Sequence, residues 1–369
     1  VLVHAPLVSR DLSWELERLG WTLVGVRPAE LGLETIARLV HDHAPAAFLG
    51  INHSPELAWA VTRTGVRYIS WTVDPLPLDR MRILEGTAID LVSVFLHRSS
   101  QVETFRALGF SQVEWLPLAA PAHRFDVIPP ARPDRLPPSF VGSSLLDEIA
   151  LYQEAAARWG WTSDLAGTVE NTLEPLVDIA LADCSFAGFR PDGSDLPRSL
   201  LSIAPSPPDL VAEALNAWLS ARVRRRRIGE IGLDDLVVHG DGGWKEVVGE
   251  RWKGPLADGQ DMTRVYAASM ANLDVPRIHQ RDIATLRAFD VAASGGCLVA
   301  EPSRDLCLVF EEGREFLAYR NGQELRSLLS QLRQEPERAT SVGTAARRRA
   351  EVDHRLALRA ARLVAPLAS

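Results

Sequence analysis

At 369 residues the chain exceeds the usual single-domain size, and a prior of about 150 residues per domain points to two domains. Hydrophobic residues at 46% and charged residues at 24% are enough to build packed cores, which excludes a disordered chain. A formal charge of -8 argues against nucleic acid or an anionic membrane as a non-specific partner, and no apolar run reaches the roughly 18 residues of a bilayer span.

In the first 120 residues, short β-rich runs (VLVHAP, TLVGVRP, AAFLGIN, RYISWTVD, LVSVFLHR, VEWLPLAA) alternate with helical patterns such as LETIARLVHDH. That alternation predicts a doubly wound parallel α/β sheet, whose ligands sit beyond the carboxyl ends of the strands. His4, Asn52, Trp71 and His97 are therefore expected along one ligand-facing edge. Asp74, in SWTVDP, is a candidate general base toward a hydroxyl, with a proline-fixed Asx turn as the alternative; His53 is a weaker candidate for the same role.

DVIPPARPDRLPP reads as a semi-rigid extended linker over residues 126–138, separating a first domain (1–125) from a second (139–345). SFVGS then starts a second α/β unit, with Gly142 and Ser143 in its first strand-end turn. Residues from about 163 to 235 read as a helical insertion. Within it, the run RVRRRR from Arg222 to Arg227 reads as the solvated end of a helix. His239 and Gly240 open a glycine-rich turn after the next strand, permitting close backbone approach to a ligand. Residues 346–369 are expected to form a C-terminal helix that packs back toward the first domain.

NLDVPRIHQRDIATLRAFDVAASGGCLVAE reads as a strand, a polar loop and a helix closed by Gly295 and Gly296. The loop offers Arg277, His279, Gln280 and Arg281 to a helix start near Asp282, where free amides and the dipole favour a diphosphate. Arg287 and Asp290, three apart, share a helical face; they form either an intrahelical pair or, through the carboxylate, a ribose site. Neither a G-x-G-x-x-G after the first strand, a P-loop lysine, a G-x-S-x-G elbow nor a metal-ligand cluster is visible, so no metal or other cofactor is expected. Cys184, Cys297 and Cys307 are an odd set without CxxC spacing, which fits a reducing cytoplasm. No basic-then-apolar leader is visible, although a trimmed one stays open because the first residue is Val.

In ISWTVDP, VEWLPLAA, SFVGS, ASMANLDV, LRAFDVAASGGCLV and VFEEGREFLAY, the chain resembles the bacterial CgeB-like, spore-maturation-type glycosyltransferases with a group 1-like C-terminal glycosyltransferase domain. The resemblance implies a GT-B fold, two Rossmann-like domains facing a cleft, and transfer of a sugar from a nucleoside-diphosphate donor. A UDP-sugar is favoured, without metal and with retention. The implied acceptor is a hydroxyl of a protein, polysaccharide or glycan, and Asp290 becomes the ribose ligand, where relatives often carry Glu. Rival readings are a nucleotide-sugar epimerase or hydrolase on the same fold, and a two-lobed sugar-binding protein. The oligomeric state is not indicated.

Overall fold

The computed structural model describes all residues except 4–7, 75–80, 128–135, 159, 161–162, 191–192, 199–206, 232–235, 258 and 368–369. His4 and most of the proline-rich segment lie outside the described residues. The chain divides into two compact units, Val1–Ala122 with Asp353–Ser369, and His123–Val352.

Unit 1 carries a six-stranded sheet, β1 (Leu2–Val3), β2 (Gly25–Val26), β3 (Ala47–Ile51), β4 (Arg67–Thr72), β5 (Val92–Leu96) and β6 (Gln112–Trp115). The order is β2-β1-β3-β4-β5-β6, and every pairing is parallel. Burial on both faces explains why these strands read as near-continuous apolar runs: all five residues of β5 are buried. The helix Leu356–Val364 packs on Ser9–Arg18, and Leu356, Ala360 and Leu363 on the one and Leu12 and Leu16 on the other are all buried. It is stitched to the end of the sheet region by Ala120 N–H to His354 O at 3.0 Å, Leu356 N–H to Ala120 O at 2.9 Å and Arg359 Nε to Pro117 O at 2.8 Å.

Unit 2 has five strands, β7 (Ser139–Val141), β8 (Val237–His239), β9 (Asn272–Asp274), β10 (Leu298–Ala300) and β11 (Leu317–Ala318), in the order β11-β10-β9-β7-β8. These pairings are parallel too. Both units are therefore Rossmann-like α/β folds.

Between β7 and β8 lie the helices Ser163–Ala182 and Pro208–Glu230, which share a core of Leu173, Val177, Val211, Leu215 and Trp218. That core takes in Ile278 of the β9 loop, whose amide donates to Ser220 Oγ at 3.0 Å. The arginine run is thus not a solvated helix end. Val223 and Ile228 are core residues, and Arg224 and Arg227, one turn apart, are 5% and 3% exposed, so both point inward.

Candidate functional site

A doubly wound sheet opens a crevice where successive connections leave in opposite directions. In unit 2 this happens between β7 and β9, because the chain goes from β7 to β8 on one side and returns to β9 on the other. Three arginines converge there. Arg287 donates from Nε to Val141 O at 3.0 Å, and its other arm pairs with Asp274 at the end of β9. Arg224 spans the same gap, from Val275 O (2.9 Å) to Ser143 O (3.1 Å). Arg277 holds both oxygens of Glu148 at 2.6 Å.

Both Arg224 and Arg287 lie over the Phe140 ring, 5.9 and 5.3 Å from its centroid. Burial, then the neighbouring Arg287 and Arg277, push the Arg224 guanidinium down to about 9, with Asp274 and Glu148 opposing. Three cations against two carboxylates leave an excess positive charge in a buried crevice, an arrangement that an anion relieves.

The α-helix after this loop begins at Leu286, not near Asp282; a 3-10 turn, Ile278–Gln280, and a bent segment come first. At its N-cap, Thr285 makes no side-chain cap, and its hydroxyl donates to Asp274 Oδ2 at 2.5 Å. The first-turn amides are left without that partner, beside Arg287. His279 and Gln280 are half-buried on the 3-10 turn. Arg281 is withdrawn from any phosphate: it lies buried against Glu301, together with Arg227, and donates to the carbonyls of Ala180, Asp183 and Phe186.

The intrahelical Arg287–Asp290 pair does not form. Asp290 meets Arg124, Nε to Oδ1 at 3.1 Å and Nη2 to Oδ2 at 3.3 Å, in a pair buried to within a few per cent. Arg124 also reaches Gly259 O and Thr263 Oγ1. Tyr266 lies within the fields of both pairs, and burial pushes its hydroxyl up to about 12.

The glycines divide by sheet edge. A Cβ on Gly142 would stand 2.8 Å from Arg287 Nη2, so its absence lets the guanidinium cross the β7 turn. Gly240, at φ +154°, passes over the Gly142 carbonyl with no room for a side chain. Asp241 ties the two turns together, accepting from Ser143 Oγ (2.7 Å), from the Ser144 amide and hydroxyl, and from the Gly243 amide. Burial raises its pKa, but these hydrogen bonds outweigh that and leave the carboxyl below its ordinary value. His239, at the end of β8, is buried, which lowers its pKa.

Gly295 and Gly296 are corrected. They precede β10 and so lie at the amino edge of the sheet, away from the crevice. Their smallness admits other protein atoms: a Cβ on Gly296 would sit 2.5 Å from Tyr266 O, and one on Gly343 would overlap Gly295 O.

In unit 1, Asn52 takes a left-handed conformation at φ 66° and clamps the ends of β3 and β4. Its Oδ1 accepts from the Val73 and Asp74 amides at 2.9 and 3.1 Å, and its Nδ2 donates to Asp74 Oδ2 at 2.8 Å. Asp74 is exposed and thus available as a base. The remaining candidates are corrected to core residues. Trp71 is fully buried, with its indole N–H on Leu116 O at 2.9 Å. His53 packs among Tyr68, Phe105 and Phe110 with Nδ1 3.0 Å from Ser70 Oγ, and burial lowers its pKa to about 4. His97 is lowered to about 3 by burial, then by Arg98. Among the described residues no three His, Cys, Asp or Glu side chains cluster as cation ligands, and no helix is long and apolar enough to cross a membrane.

Residues 217–365 match the model of a glycosyl transferase-like family, which covers less than half of the chain. No curated protein matches in sequence. Among solved structures, a glycosyltransferase from Rickettsia africae is similar at TM-score 0.54 and 11% identity, over 99% of this chain and 98% of that one. Sucrose-phosphate synthase from Thermosynechococcus elongatus is similar at TM-score 0.52 and 12% identity, over 93% and 81%. Anabaena HepE in complex with UDP-glucose is similar at TM-score 0.50 and 10% identity, over 96% and 88%. At these identities the likeness establishes the fold.

Proposed function

We propose that the chain is a glycosyltransferase that takes a sugar from a nucleoside-diphosphate donor, UDP-sugars first among them, and delivers it to a hydroxyl-bearing acceptor. The observation that carries this reading is the convergence of Arg224, Arg277 and Arg287 beside an uncapped helix start at the β7–β9 switch point. The glycosyl transferase-like match over 217–365 and the fold shared with a UDP-glucose-binding protein support it.

In this mechanism the donor diphosphate lies over the crevice, where the guanidiniums and first-turn amides stabilise the charge that develops on the leaving group. They supply the role a divalent cation would otherwise fill, so transfer is expected to persist in chelator. Asp290 is our candidate for the ribose hydroxyls, in keeping with the CgeB-like resemblance, from which we also take retention of configuration. Asp74, held by Asn52, serves the acceptor hydroxyl as base. Three free cysteines suit a cytoplasmic setting.

A thermal-shift panel of UDP, GDP, ADP and their sugars tests the reading, since a ligand bound well above its Kd raises Tm. UDP and at least one UDP-sugar should stabilise the protein, and Asp74→Asn should abolish transfer while keeping UDP affinity. A flat panel overturns the donor site. Release of free sugar alone, whatever the acceptor, would recast the enzyme as a hydrolase.

A further inference from the structure

Unit 1 has a switch point of its own, between β1 and β3, since the chain leaves β1 for β2 on one side and returns to β3 on the other. A cavity of about 570 Å³ lies there. Its volume falls in the range of about 300–1,000 Å³ that small-molecule sites occupy. We propose that it takes the acceptor, and that the acceptor is a compact aromatic or alicyclic alcohol rather than a glycan. This inference rests on the glycosyltransferase reading above.

Apolar side chains form the walls: Val3, Leu31, Ile36, Ile51, Leu57 and Trp59. Trp59 spends its indole N–H on Glu85 O at 3.0 Å, so the ring itself offers only apolar surface. Polar groups gather at one end, where Glu56 keeps an exposed carboxylate, while Ser54 and Asn52 are largely engaged within the protein. Ser54 Oγ accepts from the Leu57 amide at 3.1 Å and donates to Glu56 Oε2 at 3.0 Å. Asn52 holds the β4 end and Asp74.

A sugar acceptor would bring many hydroxyls to walls that cannot pair them, at a cost for each one desolvated. A ring system instead buries apolar surface and needs only one polar contact, which Asn52, the lining residue that holds Asp74, provides. In the reaction the acceptor oxygen bonds to the anomeric carbon on the face from which the diphosphate leaves, as retention requires. The bond from that carbon to the diphosphate breaks with its electron pair leaving on the nucleoside diphosphate, and the hydroxyl proton passes to Asp74.

Calorimetry on the full chain tests this with 4-methylumbelliferone, a bicyclic phenol, against maltotetraose. The phenol should bind at least about tenfold tighter than the tetrasaccharide. Leu33 lines the cavity mouth, is 61% exposed, and stands first in the helix Leu33–His43. An acidic residue there suits the helix start, so Leu33→Asp folds while making the lip polar. It should weaken the phenol at least about fivefold and leave UDP affinity unchanged. Tighter binding of maltotetraose, no phenol binding, or phenol binding indifferent to Leu33→Asp each overturns the proposal. UDP titrated into the same samples separates the two readings: normal UDP binding without phenol binding sinks only the acceptor class, and the converse sinks the donor site.

Discussion

Replacing Arg224 by methionine removes one cation from the β7–β9 crevice and keeps a side chain of similar reach. Its guanidinium is pushed down from the ordinary arginine range to about 9, foremost by burial and then by Arg287 and Arg277. At about 1.4 kcal/mol per pH unit, that is a penalty of roughly 5 kcal/mol against the charged form. Because the folded value lies below the unfolded one, the stability withheld at neutral pH returns only as the pH climbs past about 9.

A bound diphosphate favours the charged form, so affinity and proton are linked. Wild-type affinity for UDP, measured by calorimetry between pH 7 and 10, should be flat to about 8 and roughly tenfold weaker at 10. In Arg224→Met the Kd at pH 8 should rise by about 10- to 150-fold, the equivalent of one charge-assisted contact of about 1.5–3 kcal/mol. The fall above pH 8 should shrink to whatever the ligand's own ionisation produces, which makes the variant the control for the wild type. A variant Kd within about twofold of wild type, or a wild-type profile flat to pH 10, refutes the assignment.

Asp290→Ala should lower the stability of unit 2 by about 3–5 kcal/mol in urea unfolding, because Arg124 would keep a buried charge without its carboxylate. Asp290→Asn should retain more stability yet still weaken UDP binding if the ribose reading holds. His53, with its pKa at about 4 folded and near 6.5 unfolded, contributes stability above pH 6.5 that is lost as the pH falls toward 4. Between pH 7 and 5 this amounts to about 2 kcal/mol, and His53→Phe should show a stability loss smaller by that amount. Gly240→Ala forces a side chain into the Gly142 carbonyl at a backbone angle that favours glycine, so it should cost at least about 1–3 kcal/mol and disorder the β7 turn, read by hydrogen exchange at Gly142 and Ser143.

The strand-helix alternation was legible because parallel strands buried on both faces leave dense apolar runs such as VSVFL, and the six-stranded unit followed from them. Arg224 and Arg227 were missed because a run of arginines resembles a solvated face. The signal against that reading was the pair Val223 and Ile228, whose apolar spacing turns two of the arginines inward. Gly295 and Gly296 were grouped with the phosphate loop because they are close in sequence, whereas one helix length carries the chain to the opposite edge of the sheet. Trp71 and His97 sit near strand ends, but the pleat turns them into the core, an orientation that strand position does not reveal. The unit 1 cavity has no sequence signature, since its walls come from the ends of β1 and β3, the β2 loop and two helices.

Unit 1 is assembled from both ends of the sequence, and this affects the order in which it can be made. When residue 122 leaves the ribosome, the face of Ser9–Arg18 that will receive Leu356, Ala360 and Leu363 is bare, with Leu12 and Leu16 at its centre. At about 5–20 residues per second, its partner emerges on the order of tens of seconds later. Throughout that interval the nascent first unit carries an unsealed apolar stripe. A polypeptide cut after residue 122 would keep that stripe exposed permanently.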